Sequence, residues 1–357
     1  MKLNERIVGR IIVGYSLALL PGEIVIHTWL RSLWPIELLN NFGAWFYLPM
    51  IGLMVGWLIY LRHGQTNPWL IRRWLLGLII SMLLFMWNYA WVLTPNWGSN
   101  LQGEEVRVMT WNVRYDNPAD TGMIRTIIQN QPDVVVFQEL VNAIGKTLRQ
   151  SLEIQQRFPY QRFISDSEFG ILSRYPIEAL PMPSLPNCQF EEIKVTLPQQ
   201  AISLVNVHLP TPIYQVRRLL SIPLLTGFNS HKQAQCYDRF LPYIDQISRP
   251  LIVLGDFNTS DRHWHYQWMH QRLTDSFKEV SWGFGFTYPG RAWTVPLVRI
   301  DYLFHSAQWR GRSAWTGKGA GSDHQFLVAD LRSCPKYSGL NLSIFSSKAT
   351  RLWSSRW

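Results

Sequence analysis

Residues 251–258 read Leu251-Ile252-Val253-Leu254-Gly255-Asp256-Phe257-Asn258: four apolar residues in a row, then a glycine, an acid, an aromatic and an amide. An apolar run this short, bounded by Gly, Asp and Asn, is the signature of a buried strand that ends in a turn. Asp256 and Asn258 therefore stand at a strand end. The pattern recurs outward in both directions. Asn112 closes the alternating run that begins at Val106, and Glu139 follows the buried run Val134-Val135-Val136-Phe137. His208 ends Val205-Asn206-Val207-His208, Asp301 sits within Arg299–Phe304, and Gly321-Ser322-Asp323-His324 precedes the run Gln325–Leu331. Carboxylates gathered at strand ends suit a hard cation, and an imidazole titrates near neutral pH, so the set suits metal-assisted attack on phosphate.

Between these points lie Gly170–Ser173, Ile193–Leu197, Ile202–His208 and Val298–Phe304, all predicted strands. Gly122–Asn130, Asn142–Leu152 and Lys232–Ile247 are predicted helices. Strands outnumber helices and the order is mixed, which predicts a sheet-rich α/β or α+β domain rather than a doubly wound one. There is no repeat period and no low-complexity tract. The stretch 211–232, with Arg217-Arg218 and the apolar Leu219–Leu225, is long for a connection. It reads equally as a substrate loop, a flap touching a membrane, or a plain surface insertion.

The chain has 357 residues, enough for one large domain and more. Residues 43–61 and 74–93 carry no charge and end in aromatic residues. Each is long enough to cross a bilayer as a helix, which takes about 20 residues. Residues 7–30 are read as a first, imperfect span, in preference to an interfacial segment or a signal peptide, because no small-residue cleavage site follows. Arg62, Arg72 and Arg73 lie between the two stronger spans, and the next basic residue after Leu93 is Arg107. Positive charge stays on the cytoplasmic side, so the chain beyond Leu93 is expected outside the cytoplasm, periplasmic or extracellular. This gives a membrane region over 1–93, a linker over 94–104, a soluble domain over 105–332 and a basic, disordered tail over 333–357.

The net charge of +10 is spread rather than concentrated: +3 in residues 1–104, +3 in 105–332 and +4 in the tail. No single basic face is evident, so the charge by itself does not argue for nucleic-acid binding. Three cysteines, Cys188, Cys236 and Cys334, make neither a disulfide framework nor a zinc pattern. An outward-facing domain permits a Cys188–Cys236 bridge without requiring one. Gly317-Lys318-Gly319-Ala320-Gly321 lacks P-loop spacing.

In order and spacing, the groups at Asn112, Glu139, His208, Asp256, Asn258, Asp301 and Ser322-Asp323-His324 closely resemble the endonuclease/exonuclease/phosphatase family. That family includes pancreatic deoxyribonuclease, abasic-site endonucleases, inositol-phosphate 5-phosphatases and neutral sphingomyelinases. Gly170-Ile171-Leu172-Ser173-Arg174-Tyr175-Pro176-Ile177 resembles a further landmark, and the likeness covers about 105–332. One departure is Gln325-Phe326, where many relatives place a proline two residues after the histidine. The resemblance implies a deoxyribonuclease I-like four-layer sandwich, two packed mixed β-sheets flanked by helices. It implies Mg2+ (or Mn2+) held chiefly by Glu139, with Asn112 near the metal and Asp323 in its shell. Asp256 and Asn258 would orient the attacking water and contact phosphate, or help hold a second metal. His324, oriented by Asp301, would be the base or polarise the phosphate, and His208 would stabilise charge on the phosphoryl oxygens.

The expected function is thus a membrane-anchored, Mg-dependent phosphodiesterase of nuclease type. The alternatives are a phospholipid or phosphoinositide head-group phosphoesterase, or a non-catalytic membrane-tethered binding module. The partners expected are a phosphoester, in nucleic acid or a lipid head group, and a lipid bilayer met through the N-terminal helices. Nothing in the sequence points to a protein partner.

Overall fold

The computed structural model describes residues 5–26, 28–62, 67–93, 103–117, 121–164, 168–181, 188–219, 222–291 and 293–334. Most of the predicted linker and nearly all of the predicted basic tail lie outside the described residues. The chain divides into two units, one formed by residues 1–94 with 213–229 and the other by the remainder.

Among the described residues, the first unit has four α-helices: α1 (Glu5–Ile26), α2 (Trp34–Asn40), α3 (Leu48–Arg62) and α4 (Pro68–Tyr89). α1 packs on α4 at small residues, where the Ser81 hydroxyl donates to Ser16 Oγ (3.0 Å). Gly77 lies against Ile12, and a side chain at that point would collide with it. Small residues of this kind let two helices approach closely. Trp74 covers Gly56, joining α3 to α4. Two sequence expectations change here. The charge-free stretch 43–61 is not one straight helix, because Gly43–Tyr47 forms a 3-10 turn and Pro49 opens α3. Proline is tolerated in a first helical turn, where its missing N–H has no partner to lose. The helix expected at 74–93 starts earlier, at Pro68, because the Asn67 side chain caps it by accepting from the N–H groups of Trp69 and Leu70. Among the described residues, one helix, Pro68–Val92, is long and apolar enough to cross a membrane. A second qualifies if Trp34–Asn40 and Gly43–Ile59, bent by 73°, count as one span. α1, which contains Pro21, does not qualify.

The second unit holds two six-stranded mixed sheets. In chain order its elements begin β1 (Glu105–Asn112), α5 (Thr121–Asn130), β2 (Val134–Gln138), α6 (Asn142–Gln150), α7 (Leu152–Arg157), β3 (Tyr160–Ile164) and β4 (Phe169–Ser173). β5 (Ile177–Ala179), β6 (Gln189–Thr196) and β7 (Ala201–His208) follow. The chain then forms β8 (Ile213–Leu219) and β9 (Ile222–Asn229), a two-stranded ribbon that belongs to the first unit. It continues with α8 (His231–Ile244), β10 (Leu251–Asp256), α9 (Trp264–His270), β11 (Thr274–Asp275), α10 (Ser276–Val280), β12 (Asp301–His305), β13 (Trp309–Lys318) and β14 (Gln325–Ser333). The sheet orders are β13-β14-β1-β2-β4-β3 and β11-β12-β10-β7-β6-β5.

Strand alternation sorts the residues into layers. Met109, Trp111, Val113, Val135 and Phe137 face α5, α6 and α7, where Ile127, Ile144, Leu148 and Ile154 complete one core. Val205, Val207, Leu251 and Val253 face α8 and α9 with Phe240, Tyr237 and Met269 in a second core. The residues between them in sequence, Val108, Val134, Val136, Leu204, Ile252 and Leu254, are fully buried and face the opposite sheet. The arrangement is helix, sheet, sheet, helix, the four layers of a deoxyribonuclease I-like fold. Polar links cross the middle: Gln138 Nε2 donates to Asn206 Oδ1 (2.6 Å), Asn206 Nδ2 donates to the Phe137 carbonyl (3.0 Å), and the side chains of Gln138 and Thr110 are hydrogen bonded to each other. Cys188 and Cys236 form a disulfide, their Cα atoms 5.2 Å apart, tying the start of β6 to α8.

Candidate active site

The site follows from the same alternation. Along β1 the inward positions are 108, 110 and 112, along β7 they are 204, 206 and 208, and along β10 they are 252, 254 and 256. Each inward face is apolar or neutral until its last residue, which is Asn112, His208 or Asp256. Register does the rest. Asp256 pairs with His208 on the parallel neighbour β7 and with Asp301 on the antiparallel neighbour β12, so three polar groups lie side by side across one sheet. Asn112 comes from the other sheet, beside Gln138, and the chain turns directly after Gln138 to present Glu139.

Asn112 joins the two sheets chemically. Its Nδ2 donates to Glu139 Oε1 (2.9 Å) and to Asp256 Oδ2 (3.0 Å). Its Oδ1 accepts from the Arg114 N–H (3.0 Å). The second Glu139 oxygen accepts from the Tyr115 N–H (3.1 Å). His208 Nε2 lies 3.7 Å from Glu139 Oε1 and 3.8 Å from Asp256 Oδ2. On the other flank, His324 Nδ1 lies 3.0 Å from Asp301 Oδ2, and His324 Nε2 lies 3.8 Å from Asp256 Oδ2. Asp256 thus stands between two imidazoles.

The backbone supports this convergence at a cost. Glu139 (φ 56°), Asn258 (φ 48°) and Arg114 (φ 64°) all occupy the left-handed region, which non-glycine residues seldom adopt. Gly255 (φ 141°) is required, since a Cβ there would strike the Val207 carbonyl on β7. Asn258 steadies its neighbour: its N–H donates to Asp256 Oδ1 (2.8 Å) and its Nδ2 to the Leu209 carbonyl (2.9 Å).

Burial and charge tune the protons. Burial pushes the Asp256 carboxyl up, and the Asp301 charge adds to this, while the two imidazoles and the Asn258 N–H oppose it. For His324, burial alone would lower the pKa, but the carboxylates of Asp301 and Asp256 dominate and it is pushed up to about 10.

Asp256, Asp301 and His324 each offer a ligand atom, all within 4.8 Å of one another. They could hold a divalent metal ion, and oxygen donors of this kind suit a hard cation. Asp323 stands apart from that group, with its Oδ2 3.9 Å from Arg291 Nη2. Asp301 forms no pair with Arg299, which is buried and bonded to Asp275 (2.9 Å), nor with Arg312, whose partner is Glu105.

Sequence reasoning missed several residues of the site. The Ser322 hydroxyl donates to the Asn112 carbonyl (2.6 Å) and accepts from the His324 N–H (2.9 Å), locking the histidine loop to β1. Thr287 Oγ1 accepts from the Asp301 N–H (3.2 Å), and the Tyr288 ring lies 5.0 Å from the His324 ring. Ser322 was within a quoted motif, yet nothing in the sequence distinguishes a bridging hydroxyl. Thr287 and Tyr288 lie in an irregular stretch without periodicity. The strand expected over 298–304 is shorter, because Val298 makes only an isolated bridge to Tyr288 and β12 starts at Asp301.

Among solved structures, the chain is similar to an endonuclease/exonuclease/phosphatase from Bacteroides vulgatus, with 18% identity, a TM-score of 0.48, and coverage of 64% of this chain and 99% of that one. It is similar to D. rerio TDP2 complexed with a single-strand DNA product, at 17% identity and a TM-score of 0.48, covering 64% and 100%. It is also similar to sphingomyelinase C from Streptomyces griseocarneus, at 16% identity and a TM-score of 0.44, covering 64% and 99%. No curated protein sequence matches. The profile of the Endonuclease/Exonuclease/phosphatase family matches residues 109–324, from β1 to His324, and with well over half of its length so matched the chain belongs to that family and is a phosphoric ester hydrolase.

Proposed function

We propose that the protein is a membrane-held, magnesium- or manganese-dependent phosphodiesterase that hydrolyses its substrate by direct attack of water. The observation that carries this reading is the convergence of Glu139 and Asp256 on the single amide of Asn112, with the Asp301–His324 pair on the other flank of Asp256. Glu139 and Asp256 would hold the cation, since the Asp301 carboxylate is already engaged by His324. When bound, a divalent cation polarises a phosphoryl oxygen and offsets the carboxylate charge that raises His324. Asp301 accepts from Nδ1–H of His324, which fixes the tautomer and leaves Nε2 to take a proton from water. Asn258 keeps Asp256 aimed, so that the carboxylate orients that water. His208 Nε2 faces the same space and is placed to donate to a phosphoryl oxygen, which favours the charge that develops there. Asp323, with its Oδ2 3.9 Å from Arg291 Nη2, would reach the cation only through its outer shell.

The catalytic domain is read as 105–332 and the membrane region as 1–93, with the catalytic domain outside the cytoplasm. Arg62, Arg72 and Arg73 near the junction of α3 and α4 support that orientation, as does the Cys188–Cys236 disulfide, which suits an oxidising compartment. A nucleic-acid phosphodiester is the first substrate reading, favoured by Arg291, whose Nη2 lies 3.9 Å from Asp323 Oδ2 next to His324. A lipid head-group phosphodiester is the second, favoured by the exposed apolar ribbon β8–β9.

The test is hydrolysis by the full chain in nanodiscs with magnesium, offering plasmid DNA and sphingomyelin–phosphatidylcholine vesicles in parallel, with EDTA and His324→Ala as controls. DNA cleavage that falls steeply with salt supports the first reading, and cleavage of vesicle lipid alone supports the second. Turnover that survives both EDTA and His324→Ala overturns the site, and no turnover of either substrate moves the reading to a small phosphoester or to a binding module.

A further inference from the structure

The β8–β9 ribbon leaves β7 within five residues of His208 and returns to α8, yet it groups with the N-terminal helices, where β9 packs against α2. Its composition is wrong for water. Register and alternation put Tyr214, Val216 and Leu225 on one face and Ile213, Ile222 and Leu224 on the other. All six are exposed, from 37% for Leu225 to 61% for Ile222. A two-stranded ribbon alone in water is marginal, and one with apolar side chains on both faces is worse placed still. Each face also carries one arginine, Arg218 on the first and Arg217 on the second, and both are exposed.

This pattern selects among coverings. A protein partner seated on one face would leave the other in water, whereas immersion in a membrane interface covers both. A two-stranded ribbon has two outer edges, and backbone groups there are satisfied by the hydrated head-group layer and not by the hydrocarbon core. Two arginines among aliphatic and aromatic side chains match that layer, where lipid phosphates accept from guanidinium and short apolar side chains reach the acyl boundary. The surface is continuous with a unit whose helices expose Leu76, Ile79, Met82 and Leu83 on α4.

We propose that the β8–β9 ribbon is a bilayer-docking element that enters the head-group region of a phospholipid membrane, with Arg217 and Arg218 meeting lipid phosphates. The proposal rests on the reading that the helices of the same unit lie in that membrane. The docking element is the connection out of β7, the strand that ends in His208.

The experiment uses the full chain in phosphatidylcholine–phosphatidylglycerol nanodiscs. Single cysteines at Val216→Cys and Leu224→Cys carry an environment-sensitive fluorophore, and the native cysteines do not compete, being disulfide-bonded or, for Cys334, buried. Leu83→Cys on α4 reports the helices and Leu152→Cys on α7, 70% exposed, reports water. The expected result is quenching of the 216 and 224 labels by spin-labelled lipid and shielding from aqueous iodide, with the opposite at 152. If 83 is quenched by lipid while 216 and 224 behave like 152, the ribbon proposal fails and the membrane helices stand. If 83, 216 and 224 all behave like 152, both readings fail. If 216 and 224 are shielded from iodide yet not quenched by lipid, a protein covers the ribbon and the proposal is overturned.

Discussion

Replacing Asp301 with asparagine isolates one interaction in a site where most groups serve several. Asp301 is buried, its two oxygens lie 3.0 and 3.2 Å from His324 Nδ1, and its backbone N–H is held independently by Thr287. The substitution keeps volume and removes charge. A hydrogen bond to a charged group contributes about 1.5–3 kcal/mol, and each 1.4 kcal/mol is a factor of about ten. That sets a floor of roughly tenfold on the loss of support for the protonated imidazole. The amide also donates where the carboxylate only accepted, which draws the neutral ring toward the tautomer with its proton on Nε2, unable to act as base. Adding the loss of general-base action, kcat is expected to fall by about 10²–10⁴, with a much smaller change in KM. The assay is steady-state hydrolysis of bis(p-nitrophenyl) phosphate with magnesium, with urea denaturation on the same preparation. A folded Asp301→Asn protein with kcat within about a factor of three of wild type would refute the reasoning.

Glu139→Gln is expected to remove magnesium-dependent turnover and leave the urea midpoint close to wild type, because its carboxylate is partly exposed and faces the cleft. Gly255→Ala should destabilise by about 2–4 kcal/mol, since strain and a clash with the Val207 carbonyl act together, and the fall in denaturation midpoint measures it. Asn206→Leu leaves Gln138 Nε2 without its inter-sheet acceptor and should cost about 1–3 kcal/mol in the same measurement. Asp261 gives a pH prediction. Burial would raise its carboxyl, but Lys278 and Arg299 outweigh that and hold it below the usual range. Its contribution is therefore complete above the unfolded value, near 3.9, and is lost as pH falls through the lower folded value. Comparing wild type with Asp261→Asn at pH 5 and pH 3, the acid-induced loss of stability should be smaller in the variant.

Much of this site is legible in the sequence because each of its strands breaks its own pattern at the end. Asn112, His208 and Asp256 are conspicuous as polar groups closing apolar runs, and two core layers follow from the odd and even positions of the same runs. What stayed hidden has physical causes. β13 (Trp309–Lys318) is an edge strand with Arg, Gly and Ser along it, so burial never wrote a period into it. The ribbon β8–β9 is apolar on both faces and interrupted by Arg217-Arg218 and Pro223, which erases alternation. The break between α2 and α3 hides inside a charge-free run, because hydropathy counts residues and does not see Pro49 or the turn before it. Thr287 and Ser322 act through single hydroxyls set by tertiary contacts, and no local pattern marks those.

The side-by-side register of Asp301, Asp256 and His208 has a kinetic consequence. These residues, with His324, come from four separate stretches of chain between positions 208 and 324, and a slip of one residue on β10 would turn Asp256 toward α8 and α9 instead of the cleft. Partial order cannot yield a partial catalyst under that geometry. During refolding, the recovery of turnover should lag behind the recovery of helix signal and coincide with the completion of both sheets, including the distant pairing of β1 with β14. Turnover in this protein is thus a clock for the completion of its non-local strand pairing.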